Sequence, residues 1–524
     1  RGAIALRPET QAALAAAFAY IRRAALVRQI VRTRGLYRLL AAYGREHRAH
    51  VARTGQLSFN DIAQLLAPVS GPIPARRRAL LECRLDARYL HWLLDEFQDT
   101  SLVQWAVIEN LLDEVVQNPD GDRTLFYVGD VKQAIYEWRS GDPRLFRRIL
   151  AKYNRPGHVA IEEAAPLVRS WRSSPVVLDA VNAVFGHLPT MRVPDDVGLA
   201  ADWQDVAARW ADEWRPHEAA PKNESLTGHV ALHVLPRVKP GEEGPTPIAR
   251  AADLVAELRR NLPDFDRRSI ALLVRGNADG LALLDALAER GIRAVWAGNS
   301  PLLDNALIPA ILSYAKLTEH PGDTLARRHV EMSPLAGRVS LAPAALAAQA
   351  RLIREQGYAG FVARLAAALD LAAAPLEQSR LRTLVAVAAE FDRQPGGNAL
   401  QFVAYMQAQE IPAEETGSNV QILTMHKAKG LEFDFVVLPA LGDKGITSMG
   451  KPALLVCERD GREPNPPVDW ILSAPETEIV DAEPPLAEQL TAHRQGKALE
   501  ELRLLYVAMT RAKRALHLVT VAPA

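Results

Sequence analysis

From Thr10 to about His50 apolar residues recur at helical spacing without a proline, which predicts a helical subdomain with breaks at Gly35 and Gly44. Proline and glycine cluster from Pro68 to Pro74, and the apolar run Tyr89 to Leu94 then ends in Asp95 and Glu96. That pattern predicts a buried strand with carboxylates at its C-terminal end. A second such unit follows, where the strand Thr124 to Val128 opens into Gly129 and Asp130. Strands that end in polar loops and lead into helices indicate a mainly parallel α/β sheet, in which ligands sit at the strands' carboxyl ends.

Further along, the stretch Pro189 to Leu226 is rich in Pro, Asp, Glu and Trp without clear periodicity and reads as a linker with short helices. Strand-like runs resume at His229 to Leu235 and Ser269 to Val274, and Ala-rich helical sequence fills about Pro309 to Glu410. Strands return at Val420 to Thr424 and Asp434 to Pro439, and a helix from about Leu490 to Ala512 feeds a last strand, Ala515 to Val521. The expected organisation is a helical subdomain 1–75 inserted in a first lobe, the rest of that lobe at 76–188 and a linker at 189–226. A second lobe, 227–308 and 416–524, is then split by a helical insertion, 309–415.

A length of 524 residues fits several domains rather than one core. With 48% hydrophobic and 24% charged residues and no apolar run of bilayer length, the composition predicts a folded, soluble chain with no membrane association. Cys83 and Cys457 offer neither a disulfide framework nor metal-ligand spacing, which suits a reducing cytoplasm. Sixty-two basic residues cancel sixty-two acidic ones, so any polyanion site must be local. One candidate is Arg22 to Arg53, with nine arginines against Glu46; the alternatives are contact with a DNA backbone and a solvated helix face. Arg1 is preceded by no initiator Met, and the chain is expected to be a fragment.

The chemistry-bearing segments begin with Asp95-Glu96-Phe97-Gln98-Asp99-Thr100. Phosphoryl transfer needs one acid to hold Mg²⁺ and another to orient and deprotonate water, and paired acids at a strand end fit that task. Next, Gly129 to Asp142 carries Gln133, an amide able to sense a phosphate, and Tyr136, Trp138 and Arg139, which supply rings and a guanidinium for stacking on bases. Both aromatics also suit a core.

These segments resemble motifs II and III of the UvrD/Rep-type superfamily 1A DNA helicases, and Gly129-Asp130-Val131-Lys132-Gln133 is similar to their RecB/AddA-like branch. Ser170-Trp171-Arg172-Ser173 resembles motif IV, Thr424-Met425-His426-Lys427-Ala428-Lys429-Gly430-Leu431-Glu432 motif V, and Tyr506-Val507-Ala508-Met509-Thr510-Arg511-Ala512 motif VI, all in family order. The resemblance implies two RecA-like parallel-sheet lobes of the P-loop NTPase type, the first incomplete, with helical insertion subdomains. It implies ATP and Mg²⁺ as ligands, with Asp95 on the metal and Glu96 as general base. Gln133, Arg172 and Arg511 would face the γ-phosphate, Trp171 would stack on adenine, and Glu432 would lie near the ribose. Tyr136, Trp138, Arg139, Thr424 and His426 would face single-stranded DNA.

Such motors cradle phosphates with Gly-x-x-x-x-Gly-Lys followed by Ser or Thr. Gly445 to Lys451 has the glycine spacing, but Pro452 replaces the hydroxyl residue and Ala453 to Cys457 reads as a strand, so it is expected to be a decoy. In the family the true loop lies well before the helical subdomain, and it is expected upstream of Arg1; the branch usually continues after motif VI into a nuclease domain, and no nuclease is assigned to this chain. The expected function is a 3′–5′ DNA helicase or translocase subunit for double-strand-break repair and recombination. Its partners would be single-stranded and duplex DNA and a second subunit of a helicase-nuclease complex. The alternative is a non-catalytic DNA-binding or assembly subunit whose ATP site is lost.

Overall fold

In the computed structural model of the protein, the short runs His91–Leu94 and Thr124–Tyr127 pair as parallel strands, with Leu94 opposite Tyr127. The structure describes all residues except 1–6, 68–78, 81–82, 86–88, 119–120, 194–201, 239–243, 298–299, 304, 370–374, 394–395, 412–417, 442–451, 460–466 and 523–524. The chain is mixed α/β and divides into two units, Arg1–Val274 with Met425–Ala524, and Arg275–Thr424.

In the first unit, the paired strands send Trp92, Leu94, Leu125 and Tyr127 onto a core of Phe97, Trp105, Leu112 and Ile149. Successive side chains on a strand face opposite ways, and Leu93 and Phe126, directly opposite each other, remain 75% and 55% exposed. The run expected as a buried strand is therefore half-buried. The helix Pro8–Thr54 also differs from expectation, running unbroken through Gly35 and Gly44. An interior glycine costs a helix about 1 kcal/mol, which 47 helical residues tolerate. None of its residues is buried; Leu26 rests on a cluster that includes Leu455, Leu472 and Val480, and Thr33 Oγ1 accepts the Ser473 N–H at 2.8 Å. The hairpin Leu454–Glu458 and Val468–Ser473 thus braces the helix.

The larger sheet of this unit contains four parallel strands in the order His229–Leu235, Ala512–Val521, Phe433–Leu441, Ile270–Val274. Ile270–Val274 is buried throughout, as a continuous apolar run between two layers requires. The helix Pro175–Gly186 packs on the first two strands, so a segment numbered with the first lobe in the sequence is held by the sheet of the second. The stretch read as a linker carries the helix Trp203–Glu213, whose Trp203, Val206, Ala207 and Trp210 are buried on one face. Trp210 and Trp214 pack with Phe185 and Tyr506.

In the second unit, Val295–Trp296 pairs in parallel with Val420–Thr424, and Ser300–Pro301 pairs antiparallel with Glu410–Ile411. Helices that include Leu307–Glu319, Pro343–Ala368 and Ala399–Gln407 enclose a core of Ile311, Leu317, Phe361 and Phe402. At Gly357, φ 72°, the second of these kinks, and Asp392 accepts the Tyr358 and Ala359 N–H groups at 2.9 Å each, restarting the helix. Among the described residues no helix is long and apolar enough to cross a membrane.

Candidate functional site

The strand His91–Leu94 delivers Asp95 and Glu96 at its carboxyl end, as the sequence predicts. Glu96 takes φ 49°, a left-handed conformation uncommon outside glycine, and so turns the chain sharply into the short 3₁₀ turn Phe97–Asp99. Its N–H donates to Asp95 Oδ1 at 2.8 Å. Gln98, only 1% exposed, donates to Glu96 Oε2 and accepts the Asp130 N–H at 3.0 Å. A Cβ on Gly129 would come within 2.1 Å of Gln98 Oε1, which is why this strand end needs glycine. Gln98 lies inside the acidic motif, yet no local pattern singles it out; its role appears only when the second strand end arrives beside it.

Asp130 opens the turn that carries Gln133. Its Oδ1 accepts from the Lys132 N–H at 3.0 Å and the Lys132 ammonium at 2.7 Å, and its Oδ2 accepts from Gln133 Nε2 at 3.0 Å. Burial pushes this carboxyl upward, and the Lys132 charge and these hydrogen bonds outweigh it, leaving the pKa below the ordinary value. Gln133 Oε1 accepts from Arg511 Nη2 at 3.3 Å. Arg511 is 1% exposed and its other acceptors are the Val507 and Leu431 carbonyls and Thr510 Oγ1. Among the described residues no carboxylate pairs with it, and burial together with the Arg172 charge pulls its pKa down to about 10. A buried guanidinium with only neutral partners is a built demand for an anion.

Arg172 approaches from the segment before Pro175. Its Nε donates to Glu432 Oε2 at 3.2 Å and its Nη1 to the Thr510 carbonyl at 3.2 Å. The segment is anchored by Ser173 Oγ on the Ala512 carbonyl at 2.7 Å and the Ser174 N–H on the Lys513 carbonyl at 2.8 Å. Glu432 also pairs with Lys513 at 2.5 Å, and the two cations hold its carboxyl below the ordinary range. Trp171 is 63% exposed, with the Lys222 ammonium 5.3 Å from its ring centroid. An exposed indole next to Arg172 in the chain can take a flat ring.

Lys429, to which the motif resemblance assigns no role, joins the carboxylate end to the Gln133 loop. Its ammonium, almost fully buried, meets Asp99 Oδ2 at 2.5 Å, the Gln133 carbonyl at 2.9 Å and Glu96 Oε2 at 3.8 Å, and lies 5.1 Å from the Tyr136 ring centroid. Burial raises the Asp99 pKa above its ordinary value despite Lys429. The Tyr136 hydroxyl donates to the His426 carbonyl at 3.3 Å, and the Arg139 guanidinium sits 5.5 Å from the Tyr136 ring. Tyr136, Arg139 and His426 are thus gathered beside Lys429. Trp138 belongs to the 3₁₀ turn Glu137–Arg139, but its side chain lies outside the described residues. Thr424 ends its strand in the second unit. Gly445 to Gly450 and Lys451, with the glycine spacing of a phosphate loop, also lie outside the described residues.

Among the described residues no three His, Cys, Asp or Glu side chains form a metal cage. Mg²⁺ seldom uses one; it binds one or two carboxylates, water and substrate phosphates. Asp95 fits that use: Oδ1 takes one N–H, and among the described residues no cationic side chain engages the carboxylate. Glu96, joined to the Gln133 loop through Lys429, lies near Gln133, Arg511 and Arg172, with Asp95 next to it in the chain, and this set is suited to hold a polyphosphate and activate water against it.

Residues 15–154 match the family model of the UvrD/REP helicase N-terminal domain, and residues 362–522 match that of the UvrD-like helicase C-terminal domain. Bacterial proteins named as ATP-dependent helicase/nuclease subunits are similar over most of the chain. The one from Listeria monocytogenes is 22% identical over 93% of this chain and 44% of its own length. Those from Pelotomaculum thermopropionicum and Anoxybacillus flavithermus are 26% and 25% identical, covering 92% and 83% of this chain and 44% and 40% of their own lengths. The chain therefore spans less than half the length of these relatives.

Proposed function

We propose, from the premise that this chain belongs to the UvrD-like helicase family, that it forms the ATP-driven motor of a DNA helicase or translocase. The observation that carries this reading is Arg511, a buried guanidinium with only neutral hydrogen-bond partners among the described residues, joined to Gln133 and close to Arg172. A γ-phosphate gives Arg511 the anionic partner it does not find among the described residues. Glu96 is the general base for the attacking water, and Arg172 and Arg511 neutralise charge as the phosphoryl group transfers. Asp95 would hold Mg²⁺ together with the nucleotide phosphates, and the ion would supply charge neutralisation. Trp171 stacks on adenine and Glu432 borders the ribose.

Tyr136, Trp138, Arg139 and His426 form the grip on single-stranded DNA, and Thr424 is a further DNA contact. Lys429 supports the link between the two functions, since one ammonium touches Glu96, the Gln133 carbonyl and the Tyr136 ring. A shift of Tyr136 on DNA thereby alters the surroundings of the base. We assign 3′ to 5′ movement, a role in double-strand-break repair and pairing with a second protein of a helicase-nuclease complex, in keeping with relatives named as subunits of a helicase/nuclease. A cytoplasmic location follows from that role and suits two cysteines that form no disulfide. The experiment is ATP hydrolysis by the full-length protein with and without single-stranded DNA, in the wild type and with Arg511 replaced. Hydrolysis that requires neither DNA nor Arg511 would overturn the reading.

A further inference from the structure

We propose that Tyr506 is a positioning residue for Gln133, acting through the Asp130 carboxylate, and that His217 orients Tyr506. The proposal rests on the reading of Gln133 as the residue that meets the γ-phosphate or the water attacking it. A carboxylate offers only acceptors and a guanidinium only donors. The Gln133 amide lies between one of each, its Nε2 on Asp130 at 3.0 Å and its Oε1 on Arg511 at 3.3 Å. A reversed amide would set oxygen against carboxylate and NH₂ against guanidinium, two repulsions in place of two attractions. The neighbours therefore fix which end of Gln133 faces Arg511.

The same Asp130 Oδ2 accepts from the Tyr506 hydroxyl at 3.3 Å. Because Asp130 can only accept, the phenolic proton is committed to it, and the Tyr506 oxygen is left to accept from His217 Nε2 at 2.7 Å. That assigns His217 the Nε2–H tautomer. Burial, then the Lys132 charge, holds the His217 pKa below the ordinary imidazole value, which keeps the ring neutral. Phe185, Trp210 and Trp214 pack around the Tyr506 ring with centroids 5.4, 6.0 and 6.1 Å away. The chain of contacts thus runs from His217, outside every recognised motif, to the amide of Gln133. Held this way, Gln133 turns its carbonyl oxygen toward Arg511, the polarity that accepts a hydrogen from an attacking water.

The test is a double-mutant cycle on ATP turnover by the full-length protein at saturating DNA. Tyr506→Phe keeps the ring and removes the hydroxyl, and is expected to lower kcat about ten-fold, with KM for ATP changed less than about two-fold. In a Gln133→Ala background the same substitution is expected to change kcat by less than about two-fold, because nothing remains to be positioned. His217→Phe should reproduce the loss, and His217→Gln, whose amide can donate at the same place, should restore most of it. Melting curves on each protein report folding, and the His217 pair reads the relay even if Tyr506→Phe is unstable. Equal losses with and without Gln133 would overturn the relay and leave Gln133 its role. A Gln133→Ala protein that turns over like the wild type would remove that role and the relay with it.

Discussion

Arg511 and Gln133 lie 378 residues apart in sequence, yet Arg511 Nη2 donates to Gln133 Oε1 at 3.3 Å. The contact joins the loop after one strand end to the short link between the long helix Pro484–Met509 and the strand Ala512–Val521. It also leaves a buried cation on neutral acceptors. Arg511→Met is therefore expected to cost less than about 2 kcal/mol of folding stability, since burying an unpaired charge is itself unfavourable. The same change is expected to lower DNA-stimulated ATP turnover by about 10³-fold or more. Thermal melting and steady-state hydrolysis on one preparation check both; a large loss of stability with turnover preserved would reverse the assignment.

Lys429 gives the opposite stability outcome. Its removal in Lys429→Met strips a mostly buried Asp99 of its cation and is expected to destabilise the fold by about 3 kcal/mol. A carboxyl whose folded-state pKa is raised destabilises the folded chain above that pKa, and the penalty fades as pH falls through it. Asp99 is already raised by burial, and Lys429 opposes the rise, so losing Lys429 raises it further. The stability gap between wild type and variant should therefore be widest at neutral pH and shrink as pH falls through the Asp99 pKa. Urea titrations at several pH values check this, and a gap that widens toward acid would contradict it.

Much of this site was legible in sequence because its residues sit in compact motifs, and the strands His229–Leu235 and Val420–Thr424 coincide with the apolar runs that predicted them. The contacts between motifs were not. Lys429 stands in the motif that ends at Glu432, but its pairing with Asp99 spans 330 residues and leaves no local trace. Gly35 and Gly44 misled because helix continuity is set over many turns, not by one residue. The helix Trp203–Glu213 did carry a signal, with Trp203, Val206, Ala207 and Trp210 at helical spacing, hidden by the Pro- and acid-rich sequence around it. His217 carried no signal at all, since its partner Tyr506 lies 289 residues away.

The DNA grip is testable through salt. Arg139 is exposed and stands beside the Tyr136 ring. If it meets a phosphate, Arg139→Ala should reduce the slope of log affinity against log salt for single-stranded DNA by about one unit. Trp138→Ala should instead weaken binding by about 1 to 3 kcal/mol with little change of slope, as loss of one base-aromatic stack would. Fluorescence-anisotropy titrations over a salt series distinguish the two, and identical slopes in Arg139→Ala and wild type would remove the phosphate contact.

At the centre of the proposed mechanism, Glu96 activates water against ATP bound beside Gln133, Arg172 and Arg511. Glu96→Gln preserves shape and can still accept the hydrogen bond from Gln98, but it cannot take a proton. The most direct measurement is single-turnover ATP hydrolysis by the full-length Glu96→Gln protein on single-stranded DNA, with nucleotide and DNA affinities measured alongside. The expected result is binding of both ligands close to wild type and hydrolysis slower by about 10² to 10⁴-fold. Hydrolysis at the wild-type rate with both ligands bound would contradict this mechanism.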